Sequence, residues 1–302
     1  MFIAFLFFCE TGQAEPGVSA NNAVLIEQET GNILFEKQAF EEQSIASITK
    51  IMTALLAVES GKLEEKAVVS RNSIYTEGSS IYLEQGEKIK VKDLVYGLML
   101  RSGNDAAVAI AEHIGESEEG FVFLMNAKAT WLGMDHTNFT NPHGLDHEEH
   151  YSSAYDMAVL TRYAMQNDEF REISGSTSYL SENRSYSWQN KHKLVTGYYP
   201  YATGGKTGYT KRTGRTLVTT AEKDGISLIA VTLNGPNDWN DHISMMDWGF
   251  EQIQQEKDSK TDPYEDIALV QHRTDNEEKH NDKGLFPVMA EIYQKVAGMG
   301  IW

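Results

Sequence analysis

The chain holds a single cysteine among its 302 residues, Cys9. Because that residue falls inside an N-terminal leader-like segment, the mature chain has none, which excludes disulfides and thiol catalysis. Positive charge is also scarce: Lys and Arg number 26 against 44 Asp and Glu, a net charge of −18. Nucleic-acid binding draws its affinity from Lys and Arg neutralising phosphates, so that class is excluded as well. Long apolar runs are missing too. Residues 1–8, Met-Phe-Ile-Ala-Phe-Leu-Phe-Phe, are apolar without interruption, yet a helix needs about 20 such residues to span a bilayer. No internal repeat, low-complexity tract or segment resembling a cytoplasmic signalling domain is evident.

What the first residues do have is the later part of an export signal. Gly12-Gln13-Ala14 supplies a small-x-small site before Glu15, so cleavage is expected after Ala14 and residues 1–14 are expected to be removed. The positively charged n-region that usually precedes such a run is missing, as at a truncated start. A lipoprotein site at Cys9 does not fit, because the bulky Phe7 and Phe8 stand where small residues are wanted.

With 41% hydrophobic residues and 10% aromatic, the remainder suits one globular domain with an appendage. Residues 23–27 and 32–37 flank Thr30-Gly31 as a hairpin. The apolar run 51–58 reads as a buried helix ended by Gly61, and residues 67–70 as a short strand. Residues 91–100 and 106–114 read as helices on either side of a loop at 101–105. Ser117 caps a third helix that ends at Gly133, and Ser153-Ala154-Tyr155-Asp156 resembles a capping box before 157–165. From about residue 176 the character turns to strand. Residues 215–222 and 226–233 are β-rich around Lys223-Asp224-Gly225, and 238–253 return to helix. Strands at both ends with helices between predict an α+β fold, an antiparallel sheet packed by helices plus an all-helical lobe. The domain is expected over 20–255, followed by a charge-rich linker over 256–283. Residues 284–302 repeat apolar positions at helical spacing, as an amphipathic helix docked on its own domain or, favoured by its terminal position, lying on a membrane surface.

Three short motifs carry chemistry. In Ser47-Ile48-Thr49-Lys50, a hydroxyl and an amine three residues apart share one helical face. A lysine whose pKa is lowered by burial or nearby charge can take the serine's proton. Ser102-Gly103-Asn104 sits in the interhelical loop, where a hydroxyl can relay a proton and an amide can both donate and accept. Lys206-Thr207-Gly208 places a cation beside a hydroxyl at a strand edge, a natural carboxylate site, with glycines that let a ligand lie against the backbone. Taken singly, each is more often a helix start or a turn. Together they are specific: Ser-x-x-Lys and Lys-Thr-Gly each occur once, with Ser-x-Asn between them, at intervals of 55 and 104 residues.

That set resembles the serine-type D-alanyl-D-alanine carboxypeptidases, the low-molecular-mass penicillin-binding proteins of peptidase family S11. The stretches Ala46–Ala54, Leu100–Ala106 and Thr140-Asn141-Pro142-His143-Gly144-Leu145 fit as well. The subtype most resembles the sporulation carboxypeptidase of endospore-forming bacteria. The resemblance implies a five-stranded antiparallel sheet and removal of the terminal D-alanine from peptidoglycan stem pentapeptides through an acyl-enzyme. β-Lactams would act as pseudo-substrates, no cofactor or metal would be needed, and the site would face the cell-wall space outside the cytoplasmic membrane. It implies Ser47 as nucleophile, Lys50 as proton acceptor and Ser102 as relay to the leaving D-alanine. Asn104 would bind the peptide amide, and Lys206 with Thr207 the terminal carboxylate. Gly208 would border the substrate, and the backbone N–H groups of Ser47 and Tyr209 would form an oxyanion hole. The family often carries a second, β-rich domain, for which 256–283 is too short.

A class A β-lactamase shares these motifs but deacylates with a glutamate in a Glu-x-x-x-Asn loop. Between Asp105 and Gly205 no Glu has Asn four residues later, which favours a long-lived penicilloyl adduct. A penicillin sensor or wall-binding module would acylate or bind without releasing D-alanine. His143, His147 and His150 do not reproduce the His-Glu-x-x-His zinc spacing, and the Asn141-Pro142 and Gly144 neighbours argue for a loop rather than a metal site.

Overall fold

The computed structural model describes residues 14–261. A hairpin of β1 (Asn22–Glu27) and β2 (Ile33–Lys37) leads through a 3-10 turn, Ala46–Thr49, into α1 (Lys50–Glu59). Next come β3 (Lys66–Val68), α2 (Arg71–Ile74), β4 (Lys88–Lys90) and α3 (Val91–Tyr96). A π-helical turn, Gly97–Arg101, separates α3 from α4 (Asn104–Gly115), which is followed by α5 (Glu118–Leu132), α6 (Ala154–Ala164) and α7 (Asp168–Gly175). The two-residue strands β5 (Ser178–Tyr179) and β6 (Trp188–Gln189) form a small ribbon. The chain closes with β7 (Ala202–Thr210), β8 (Gly214–Lys223), β9 (Ile226–Leu233) and α8 (Asp238–Thr261).

The main sheet has five antiparallel strands in the order β2-β1-β9-β8-β7. The fold is therefore the expected α+β arrangement. Alternation along the strands divides the core in two. Val24, Ile26, Val218, Ile229 and Val231 face the helical lobe, whereas Leu25, Leu217, Leu228 and Ala230 face Met245, Met246 and Phe250 of α8. Helix α1 runs through the lobe with eight of its ten residues buried, which explains why its sequence is apolar all round rather than striped.

Local signals account for the joints. Asp224 and Gly225 both take positive φ, +51° and +73°, the tight two-residue hairpin that joins β8 to β9. Ser117 and Ser153 cap α5 and α6 by accepting the N–H groups of Gly120 and Asp156, and Gly133 ends α5 at φ +73°. Two expectations shift. Residues 176–201 hold only the short ribbon and a π-type turn over Leu194–Tyr198, so the strand character is concentrated from Ala202 onward. Helix α8 continues to Thr261, so the first residues of the expected linker are helical.

The described residues up to Ile253 form one unit; of the second, which begins at Gln254, the described part is the end of α8. The leader expected over 1–14, the rest of the linker and the terminal helix over 284–302 lie outside the described residues, Ala14 excepted. Among the described residues, no helix is long and apolar enough to cross a membrane.

Candidate active site

Ser47 lies in the 3-10 turn and Lys50 opens α1. This tightens the expected helical pairing, because residues three apart eclipse one another in a 3-10 turn. Lys50 Nζ stands 2.8 Å from Ser47 Oγ and 2.8 Å from Asn104 Oδ1, and also donates to the His143 carbonyl. The lysine is fully buried. Burial holds its pKa well below the ordinary 10.5, and the charges of Lys206 and Lys191 push it further down, against an opposing pull from Asp105. A neutral amine offers two N–H donors and one lone pair. The Asn104 and His143 oxygens can only accept, so they take both N–H groups and leave the lone pair for the Ser47 hydroxyl. That is the geometry of a general base. The Asn104 amide is oriented in turn by Nδ2, which donates to the Glu77 carbonyl at 2.5 Å.

Ser102 follows the π-helical turn at φ +64°, left-handed and rare for a residue with a side chain. Gly103 then swings the chain into α4, and a Cβ there would come within 2.8 Å of Asp105 Oδ1. The buried Asp105 carboxylate organises the opposite wall, accepting from Ser80 Oγ and from the N–H groups of Ile81, Leu83 and Ala106. No local pattern signals this network, although Asp105 adjoins the Ser-x-Asn motif.

Lys206-Thr207-Gly208 lies within β7, the strand at the sheet's edge. Lys206 Nζ, also buried, donates to Ser102 Oγ at 3.1 Å and to the Thr207 carbonyl at 2.7 Å. Burial, helped by the Lys191 charge, brings its pKa down to about 7. A Cβ on Gly208 would stand 2.9 Å from the Ser47 nitrogen and 3.2 Å from that of Ile48. Glycine is thus what lets β7 abut the serine turn.

Ser47, Ser102, Thr207, Gly208 and Tyr209 line a single cleft of about 610 Å³, together with Lys191, Lys193, Arg215 and Trp239. Lys50, Asn104 and Lys206 are buried around it, with Lys50 and Lys206 each one hydrogen bond from a lining serine. All eight singled-out residues therefore gather at one place. Asn104 does more than was expected of it, since its oxygen holds Lys50.

The Thr140–Leu145 stretch owes its place here to its backbone. Pro142 and His143 present carbonyls to Thr53 and Lys50, and a Cβ on Gly144 (φ +85°) would collide with the Ala46 carbonyl oxygen. The three histidines go separate ways. His150 accepts the Thr140 N–H on Nδ1, which puts its proton on Nε2 toward Thr49 Oγ1 at 2.8 Å. Nδ1 of His143 accepts from Leu145 N–H, and Nδ1 of His147 from Glu149 N–H. Among the described residues no group of three or more His, Cys, Asp or Glu is placed to hold a metal.

This sheet and helical lobe recur in solved DD-peptidases. A D-alanyl-D-alanine carboxypeptidase from Mycobacterium tuberculosis shares 30% identity at a TM-score of 0.76, covering 80% of this chain and 95% of that one. A mutant of the Streptomyces K15 DD-transpeptidase shares 29% at a TM-score of 0.74, covering 78% and 100%. The class is therefore that of the penicillin-binding DD-peptidases. More narrowly, the D-alanyl-D-alanine carboxypeptidase family, peptidase family S11, matches residues 9–237, and the chain belongs to it. The D-alanyl-D-alanine carboxypeptidase DacF of Bacillus subtilis is 40% identical over 246 residues, covering 78% of this chain and 63% of that protein. The chain spans 58–66% of the length of the first three curated relatives it matches.

Proposed function

We propose that the protein is a serine DD-carboxypeptidase that removes the terminal D-alanine from peptidoglycan stem peptides ending in D-Ala-D-Ala, and that penicillin inhibits it. The observation that carries this reading is the buried Lys50, 2.8 Å from Ser47 Oγ and held by two groups that can only accept, so that its neutral form turns its lone pair to Ser47. Ser47 Oγ attacks the penultimate carbonyl as its proton passes to Lys50, and the N–H groups of Ser47 and Tyr209 receive the oxyanion. Ser102, hydrogen-bonded to Lys206, passes that proton on from Lys50 to the departing D-alanine nitrogen, which returns Lys50 to its neutral form and leaves Lys206 charged. Lys206 and Thr207 hold its carboxylate, Gly208 leaves room for the backbone approach, and Asn104 positions Lys50 and offers its second N–H to the peptide amide. Water then releases the acyl group. The same clamp fits the carboxylate of a β-lactam, whose ring opens on Ser47 without a leaving group that diffuses away.

Location and timing rest on sequence features. Residues 1–14 support export to the cell-wall space, and the apolar spacing over 284–302 supports contact with the membrane surface, with 256–283 as linker to a catalytic domain over 20–255. The motif-flanking stretches support a sporulation subtype and a role in wall maturation. The test is mass spectrometry after labelled penicillin, with D-alanine release from diacetyl-L-Lys-D-Ala-D-Ala measured alongside. An adduct on Ser47 that persists, together with D-alanine release, is the expected result. Adduct turnover within seconds would make the protein a β-lactamase, an adduct without D-alanine release a sensor, and no adduct would end the reading.

A further inference from the structure

A second groove of about 450 Å³ opens beside the cleft and shares Ser79 and Lys191 with it. Tyr82 and Tyr186 line it, 78% and 51% exposed, with the buried Trp188, and Arg101 and Lys191 give it its charge. No step described above uses it.

Three features set it apart from ordinary surface. First, no carboxylate among the described residues lines it, although acidic residues outnumber basic ones 44 to 26 along the chain. The hydrogen bonds of its two cations go to neutral groups, Arg101 to the Gln189 carbonyl at 3.1 Å and Lys191 to Ser79 Oγ at 3.2 Å. Burial and the Arg101 charge together lower the Lys191 pKa. Two like charges held close without a counter-ion are a repulsion that a bound anion relieves. Second, Tyr82 stands at φ +59°, a conformation costly for a bulky side chain. It is held there from both sides: the N–H groups of Ile81 and Leu83 donate to the Asp105 carboxylate, and that of Tyr82 to Ser80 Oγ. Third, the Trp188 indole N–H is buried without a partner among the described residues.

We propose that this groove is a subsite for the acyl side of the substrate, taking a peptide residue whose free carboxylate pairs with Arg101 and Lys191 between the rings of Tyr82 and Tyr186. The assignment of side rests on the carboxypeptidase reading: the leaving group there is one residue whose carboxylate Lys206 and Thr207 hold, so a chain long enough to reach the groove belongs to the acyl half.

The test compares three peptides with a common L-Lys-D-Ala-D-Ala end. One is the diacetyl tripeptide, one is extended by a γ-linked D-glutamyl residue with a free carboxylate, and one carries the same extension as its amide. The wild type is expected to favour acid over amide by about tenfold in kcat/KM, the worth of one partly desolvated ion pair, and less at high salt. Arg101→Gln should bring that ratio close to one, and Arg101→Lys should keep part of it. Because the ratio is taken within each variant, the fraction of folded enzyme cancels. A wild-type ratio near one, or a ratio that survives Arg101→Gln, overturns the subsite. So does an equal loss on all three peptides, which would assign Arg101 to the terminal carboxylate. If labelled penicillin leaves Ser47 unmodified, the peptidase reading falls by itself. The acetyl-γ-D-glutamyl-L-lysine amide fragment, followed by tryptophan fluorescence, then tests the groove alone: saturable binding that Arg101→Gln weakens supports it, and absence of binding refutes it.

Discussion

Gly208→Ala probes the contact on which the proposed oxyanion hole depends. The new Cβ would meet the Ser47 nitrogen at 2.9 Å and the Ile48 nitrogen at 3.2 Å, and would collide with Thr216 Oγ1. Thr216 has little freedom to turn away, because its hydroxyl donates to the Ile45 carbonyl at 3.0 Å and the residue is fully buried. Two of the three obstacles are backbone, so β7 and the serine turn must part by roughly half an ångström to restore ordinary van der Waals separation. A shift of about 1 Å in a reacting group can cost about 10²-fold, and loss of one oxyanion donor about 10²–10³-fold. A displacement half as large, acting on both the nucleophile and the donor, should slow acylation by about 30- to 100-fold. Overpacking a core site typically costs about 1–3 kcal/mol, which in a domain of this size lowers the melting temperature by roughly 2–12 °C. The assay is the second-order acylation rate with a fluorescent penicillin, paired with a thermal melt monitored by circular dichroism. Acylation within about threefold of wild type would refute the reasoning, because it would mean that the approach of β7 to Ser47 does not set the geometry of attack.

Other consequences are open to the same assays. In the free enzyme, acylation should rise with pH as Lys50 loses its proton and fall as Lys206 loses its own at about 7. A bound carboxylate favours charged Lys206, so the alkaline limb should lie higher in kcat than in kcat/KM; a profile without an alkaline limb would remove Lys206 from the clamp. For stability the sign is opposite to that of a paired lysine. Between about 7 and 10.5 the unfolded chain binds the proton that folded Lys206 has shed, so stability should increase with pH in that window, and the increase should be smaller in Lys206→Met, where only Lys50 and Lys191 remain to contribute with the same sign. Asn104→Ala leaves a Lys50 N–H without its acceptor and frees the amine to turn; acylation should fall by about 10²-fold or more, as for loss of a positioned base, and an unchanged rate would show that the His143 carbonyl suffices. Asp105→Asn turns an acceptor for four donors into a partial donor. It should cost about 3 kcal/mol, seen as a melting-point drop of roughly 6–12 °C. Because Asp105 raises the Lys50 pKa, the acidic limb should also move to lower pH, and a rise instead would contradict the electrostatics.

Sequence alone determined those parts that neighbours along the chain govern. The Asp224-Gly225 hairpin, the serine caps of α5 and α6, and the glycine stop at 133 follow from backbone preferences over a few residues. The order Ser-x-x-Lys, Ser-x-Asn, Lys-Thr-Gly, through its resemblance to the DD-carboxypeptidases, was enough to name eight candidate residues that the fold then gathers at one cleft. What the pattern could not convey is burial and direction. Contacts of Lys50 with Asn104 and His143 bridge 54 and 93 residues, and that of Lys206 with Ser102 bridges 104. Only the closed fold removes both lysines from water, and that desolvation is what lowers their pKa values. The His143 contribution is a carbonyl, which every residue possesses, so no side chain announced it. Tertiary structure alone likewise set Ser47 on a 3-10 turn, brought Lys206 to Ser102, and placed a pair of cations without a carboxylate among the described lining residues beside the cleft. Proximity across the chain and the loss of water decided those features, and neither is a property of local sequence.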